Sequence, residues 1–224
     1  MSSGDLLALV MGACLLVSEV RCLTQLTPLQ FKKVTGTKLD STSTANFSVE
    51  PLPLKASFDA YFGYWQNNPL MCPNGYYVYG FATWHDDYES SMDTDDTGVS
   101  GVELHCRSVE GSTQTVSYNM DYGANQKRAT VTCSDNGPVN AYRFRINDEM
   151  GSDYDDEGMN DLRFFCRNTE EELVSYGPSR TDSVWSSTTT CPGGMVICGA
   201  RVKIEDENSD NSCVNELLAF CCVM

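Results

Sequence analysis

Hydrophobic and polar residues alternate in several short runs bounded by Gly, Asn, Asp and Pro. Tyr77, Tyr79 and Phe81 alternate with Val78, Gly80 and Ala82, and Tyr142, Phe144 and Ile146 alternate with Arg143, Arg145 and Asn147. The runs ending in two cysteines, Val102 to Cys106 and Leu162 to Cys166, repeat the pattern. A period of two sends successive side chains to opposite faces of an extended chain, so each run predicts a strand with one buried face. No stretch of about ten residues or more keeps a helical period, and the predicted fold class is all-β.

The strands fall into three copies of one unit. Aligned on their closing cysteines, the segments Asp93 to Cys106, Asp153 to Cys166 and Asn208 to Cys221 match without a gap. Each unit opens with another cysteine about thirty residues earlier, at Cys72, Cys133 and Cys191, and the closing cysteines recur at roughly 60 and then 55 residues. Aromatic-glycine pairs precede the units at Phe62-Gly63, Tyr122-Gly123 and Tyr176-Gly177. Units of this size close as a propeller, a trefoil barrel or a three-sided prism, and the pattern does not choose among these.

Within a unit, the strand after the opening cysteine and the strand before the closing one are expected side by side. The spacing predicts Cys72 bridged to Cys106 and Cys133 bridged to Cys166. In the third unit Cys191 and Cys198 face Cys221 and Cys222, which as neighbours on a strand point to opposite faces. Two bridges follow, with their pairing open. Cys213 is left over at the position held by Gly98 and Gly158 in the other units. It is either a small buried side chain or the site of an intermolecular bridge.

Composition narrows the compartment and the partners. Lys and Arg number 15 against 31 Asp and Glu, a net charge of -16, which argues against nucleic acid or an anionic membrane surface as partner. Leu6 to Val17 is an apolar run too short to span a bilayer, and residues 1–22 read as a secretory signal peptide ending at Cys22. The mature protein is then expected outside the cell, without a membrane span, where bridges persist. Residues 23–56 are rich in Ser, Thr and Pro and read as a flexible extension, with Asn46 in an N-glycosylation sequon. Residues 57–224 are expected to form one domain of three repeats, about 57–106, 107–166 and 167–224.

Candidate chemistry is sparse. Asp93, Asp95 and Asp96, and likewise Asp153, Asp155 and Asp156, crowd oxygen ligands as Ca²⁺ requires, although the same residues also satisfy backbone N–H groups in turns between strands. His85 and His105 are the two histidines, and neither adjoins a nucleophile arrangement. His105 reads as a surface residue of a strand. No phosphate loop, zinc spacing or dinucleotide fingerprint occurs, no cofactor is expected, and no pair of carboxylates is singled out for catalysis on sugars. Trp65, Trp84 and Trp185 offer rings for stacking on pyranose faces, while aromatics beside glycine are the ordinary furniture of a core. Trp84, beside His85 and Asp86 in an expected loop, is the foremost candidate for a glycan contact.

Several of these residues together resemble the vitelline membrane outer layer protein I family. They are Cys72-Pro73-Asn74-Gly75, Gly80-Phe81-Ala82, Asp95-Asp96-Thr97, Cys191-Pro192-Gly193-Gly194, Ile197-Cys198-Gly199, Lys203-Ile204-Glu205, Asn215 and Phe220-Cys221-Cys222. The resemblance covers roughly Ser57 to Met224. It implies a β-prism of three antiparallel Greek-key sheets around a pseudo-three-fold axis. It also implies an extracellular role in a coat or secreted fluid, and the function expected is a non-catalytic structural or interaction one with coat or matrix proteins as partners. The alternative it implies is a carbohydrate-binding protein or an oligosaccharide transferase acting on N-acetylglucosamine-type glycans. The chain departs from the pattern where the second unit opens Cys133-Ser134-Asp135-Asn136 and where Asn208 and Asn211 replace aspartates.

Overall fold

A computed structural model describes residues 50–58, 60, 63–85, 98–119, 126–146, 158–175, 183–205 and 213–224. The candidate calcium ligands Asp93, Asp95, Asp96, Asp153, Asp155 and Asp156, the sequon at Asn46 and the residues of the expected signal peptide lie outside them.

Every sheet is built on one long hairpin. In the first sheet the hairpin is β4 (Tyr76–His85) and β5 (Val99–Ser108). Strand β6 (Thr113–Asn119) continues beyond β5, and the short strands β7 (Gln126–Lys127) and β8 (Val131–Thr132) return beside β4. A fourth segment lying beside the first strand of three is the Greek-key order. The second sheet repeats it with β9 (Val139–Ile146), β10 (Met159–Cys166) and β11 (Glu172–Val174), then β12 (Val184–Trp185) and β13 (Thr189–Thr190) beside β9.

The third sheet is closed by the other end of the polypeptide. Its hairpin is β14 (Val196–Glu205) and β15 (Cys213–Cys222), but the strand beyond β15 is β1 (Leu52–Lys55). Beside β14 lie β2 (Tyr64–Trp65) and β3 (Leu70–Met71). The sheet therefore starts at Leu52, inside the stretch that composition assigns to the extension. Four residues of Leu-Pro-Leu-Lys carry too little periodicity to declare themselves as a strand; the edge of β15 supplies the partner.

The three hairpins share two bulges. On the first strand the extra residue is Tyr79, Asn140 or Cys198, and on the second it is Ser100, Asn160 or Asn215. Each bulge shifts the alternation by one residue. This corrects the expected phase of β4: Val78 and Phe81, three apart, both enter the core, and Tyr79 between them does not. The inner faces of all three sheets meet in one cluster that includes Phe81, Leu104, Tyr142, Phe144, Phe164, Ile197 and Leu217. Phe81 meets Phe164 edge to face at 5.0 Å, an aromatic contact between the first and second sheets. The architecture is a β-prism.

The corners of the prism are built alike. After β3, β8 and β13 the chain leaves one sheet for the next, and at that point stand Cys72, Cys133 and Cys191. Their amides donate to the bulge carbonyls of Cys198, Tyr79 and Asn140 at 2.9, 2.9 and 2.7 Å. Their sulfurs bond to Cys106, Cys166 and Cys221 in the hairpin of the following sheet. Each of these three bridges joins two sheets, whereas Cys198–Cys222 staples the β14–β15 hairpin. Cys213 is buried as a thiol with φ 50°, at the position where Gly98 has φ 63°. A sulfur with no exposed area is not offered to a second chain.

Candidate functional site

The bulges fix which residues face outward. On the first sheet Ala82, Trp84, Gly101, Glu103 and His105 leave the core, and on the second Arg143, Arg145, Asp161, Arg163 and Phe165 do so. Arg201, Lys203, Glu216, Leu218 and Phe220 occupy the corresponding places on the third.

All three tryptophans fall at one equivalent place, where the returning strand meets the hairpin, and each is registered opposite a cationic residue. Trp185 pairs with Arg145, Trp65 with Lys203 and Trp84 with Lys127, the last with the two roles exchanged between strands. Trp84 thus lies within a strand, not in the loop that its neighbours His85 and Asp86 indicated. A β-carbon on Gly101 would come within 2.9 Å of its indole, so the absent side chain of Gly101 makes room for the ring. Trp65 is partly buried on the outside of its sheet and Tyr64 is 72% exposed, so these aromatics beside Gly63 are not part of the core.

The second sheet carries the densest polar cluster. The Trp185 ring has Arg143 at 4.4 Å, Arg163 at 4.5 Å and Arg145 at 5.6 Å from its centroid, distances of cation–π contact. Arg143 and Arg163 stand directly across the β9–β10 ladder from each other. Glu172, on the edge strand β11, joins them: its Oε1 accepts from Arg143 and lies 3.2 Å from Nη1 of Arg163. Arg163 also donates through Nε to Asp161 at 3.0 Å, and Arg145 donates through Nε to Asn160 at 3.0 Å.

The two carboxylates respond in opposite directions. Asp161 is 1% exposed, and burial pushes its carboxyl up to about 6 against the pull of Arg163 and Arg145. For Glu172 burial also works to raise the carboxyl, but the bonds from Arg143 and Arg163 prevail and hold it below the ordinary glutamate value.

On the first sheet His105 Nε2 lies 2.7 Å from Glu103 Oε1 and 3.4 Å from Thr130 Oγ1. A catalytic histidine relays between a carboxylate on one ring nitrogen and a nucleophile on the other. Here both partners share one nitrogen, and the arrangement is a hydrogen-bonded, largely buried pair. Tyr79 meets the His105 ring edge to face and lies under Arg107. On the third sheet Glu216 is buried, accepts from the Ala60 amide at 3.3 Å and lies 3.8 Å from Lys55 Nζ, while Lys203 donates to the Ala60 carbonyl. Of the carboxylates described on the outer faces, Glu172 and Asp161 are engaged by arginines, Glu216 by Lys55 and a backbone N–H group, and Glu103 by His105, and Asp161 is out of a substrate's reach. The arrangement suits binding of polar and anionic groups beside an aromatic ring.

Sequence reasoning named the three tryptophans as candidate rings and left the Arg143–Arg163–Glu172 cluster around Trp185 unread. The signal was present as the polar phase of two strands, Arg143 and Arg145, then Asp161 and Arg163, but the pairing that assembles them spans forty residues or so of chain.

Comparison with known proteins agrees with this architecture. A vitelline membrane outer layer protein 1 homolog of Homo sapiens is 30% identical over 162 residues, covering 69% of this chain and 75% of the homolog. The homolog of Mus musculus is 28% identical over 158 residues, with the same coverage of each chain. Among solved structures, the artocarpin–mannotriose complex superposes with a TM-score of 0.50 at 6% identity, covering 77% of this chain and 98% of that one, a likeness of fold. The family model of Vitelline membrane outer layer protein I matches residues 54–224, and the chain belongs to that family.

Proposed function

We propose that this protein is a non-catalytic interaction component of an extracellular coat or secreted fluid, a disulfide-braced prism that presents its outer sheet faces to partners. The observation that carries this reading is the bridge at every passage from one sheet to the next. Such bridges persist in oxidising compartments and hold the sheets together against unfolding and proteolysis. The outer-face carboxylates Glu172, Asp161 and Glu216 are held by arginine, lysine or backbone N–H groups, which supports binding over acid–base work on a sugar. In this reading residues 1–22 are removed on secretion, Asn46 carries a glycan, residues 23–51 lead into the prism, and coat or matrix proteins are the partners.

A carbohydrate-binding role is the second reading, favoured by the partly exposed Trp185 among hydrogen-bonding arginines. The test of both is to recover the full chain from the medium of secreting cells, then titrate it with a broad glycan array and incubate it with N-acetylglucosamine oligomers. Secretion with four bridges and no turnover supports the non-catalytic reading. Conversion of the oligomers, or retention inside the cell, would overturn it.

A further inference from the structure

The outer face of the second sheet contains an arrangement that the fold itself does not require. The three sheets serve as internal controls for one another, because the bulges make their positions equivalent. Where the second sheet has Arg143 opposite Arg163, the first has Ala82 opposite Glu103 and the third has Arg201 opposite Leu218. Two guanidinium groups directly across a ladder repel each other. This sheet nevertheless holds them together, on a chain whose net charge is -16.

Asp161 holds Arg163 from its own strand, and a second carboxylate, Glu172, relieves the repulsion between the two arginines. It comes from an edge strand of three residues, its side chain is 31% exposed, and both arginines converge on the same oxygen. Arg143 and Arg163 are themselves 28% and 20% exposed. Planar guanidinium groups converging on one oxyanion recognise carboxylate and sulfate. The Glu172 carboxylate therefore marks where an external anionic group would sit. Trp185, under 5 Å from both guanidinium groups, sets a ring of pyranose size beside that point.

The geometry points to a binding site for a single acidic sugar, a sialylated or sulfated glycan terminus, formed by Arg143, Arg163 and Trp185, with Glu172 as the internal group the ligand's anion displaces. This rests on the non-catalytic binding reading and specifies its ligand. The site is one anion wide, with the Trp185 ring beside it and Phe165 flanking Arg143, which fits a sugar terminus better than an extended acidic peptide.

The test is calorimetric titration of the full chain with 3′-sialyllactose, 3′-sulfolactose and uncharged lactose. Binding of one or both acidic sugars at least tenfold tighter than lactose is expected, and the stronger of the two names the anion. Arg163→Gln should weaken that binding at least tenfold. Glu172→Gln removes the competing carboxylate and should strengthen it several-fold, a gain that damage to the fold would not produce. Arg201→Gln, at the equivalent place on the third sheet, should leave it unchanged. Equal affinity for lactose, or a Glu172→Gln protein that binds no tighter, would overturn the site while leaving the broader binding reading intact. Binding of poly-glutamate but of neither acidic sugar would overturn it in favour of an acidic protein partner.

Discussion

Cys72 and Cys106 are bonded across a corner of the prism: Cys72 follows the strand that closes the third sheet, and Cys106 lies in the hairpin of the first. The bridge closes a loop with a sequence separation of 34, for which the chain-entropy model gives about 4 kcal/mol. Cys198–Cys222 differs, because with Cys191–Cys221 in place its two ends are already connected by a path of roughly nine residues, and it removes less freedom, about 2–3 kcal/mol. Replacing Cys72 and Cys106 together by Ser should therefore lower stability more than replacing Cys198 and Cys222. Guanidinium unfolding curves of the two double variants measure the difference, and the reverse order would contradict the corner role.

Tyr142 fastens the strand contributed by the N-terminal side. Its hydroxyl, buried in the common core, accepts from the Ala56 amide at 3.0 Å and lies 2.9 Å from the Leu54 carbonyl and 3.0 Å from that of Leu217. Phe81 and Ala200 hold the equivalent position in the other sheets and have no hydroxyl to offer. Tyr142→Phe should cost about 1–3 kcal/mol, because the buried Ala56 amide loses its acceptor. Hydrogen exchange should speed up at Leu52 to Ala56 while β9 itself stays protected.

Gly80 is required by contact and Gly75 by conformation. A β-carbon on Gly80 would sit 2.4 Å from the Val131 carbonyl oxygen and 2.6 Å from Thr132 Cγ2, against the strand that returns beside β4. At Gly75 nothing lies within 4 Å, and φ is 82°. Gly80→Ala is expected to destabilise by about 2–3 kcal/mol, since backbone has to move. Gly75→Ala should cost about 1 kcal/mol, the strain of a left-handed alanine. Thermal unfolding of the pair separates the two causes.

Asp161 gives part of the stability an acid-favouring pH dependence. Its carboxyl is raised from 3.8 to about 6 in the folded chain, so the native state binds the proton more tightly than the unfolded state. That contribution is full below about pH 4 and is lost as pH rises through 6. A shift of this size corresponds to about 3 kcal/mol at most. Glu172 acts in the opposite sense, with a depressed carboxyl whose contribution is lost as pH falls below its unfolded value of 4.5. Between pH 7 and 5 the Asp161 effect dominates the cluster. The stability of the wild-type chain relative to Asp161→Asn should therefore rise over that interval, and a flat or falling difference in urea midpoints would contradict the assignment.

The sequence by itself determined the repeat and most of the strands. Cysteine spacing marks the three units because a bridge demands two chain segments at a fixed separation, and each unit must place them alike. Alternation marks strands such as Val139–Ile146 and Met159–Cys166 because a sheet with one buried face has to repeat every second residue. The small residue demanded at Cys213 was also legible, from Gly98 and Gly158 at the same place in the repeat.

Only the tertiary structure decided the rest, and the reason in each case is a partner distant in the chain. The bulge at Tyr79 inverts the local phase, so Val78 and not Tyr79 enters the core; one extra residue is invisible to a count of alternation. Strand β1 exists because β15 presents an unpaired edge to Leu52–Lys55, not because those four residues prefer to be extended. The cysteine pairs that spacing placed within a unit turn out to join different sheets, since each unit's opening cysteine is reached from a strand of the preceding sheet. Trp65, Trp84 and Trp185 have no common sequence context. They become equivalent only through the register that places each opposite a Lys or Arg position, and the Arg143–Arg163–Glu172 cluster assembles from three strands whose side chains meet on one outer face.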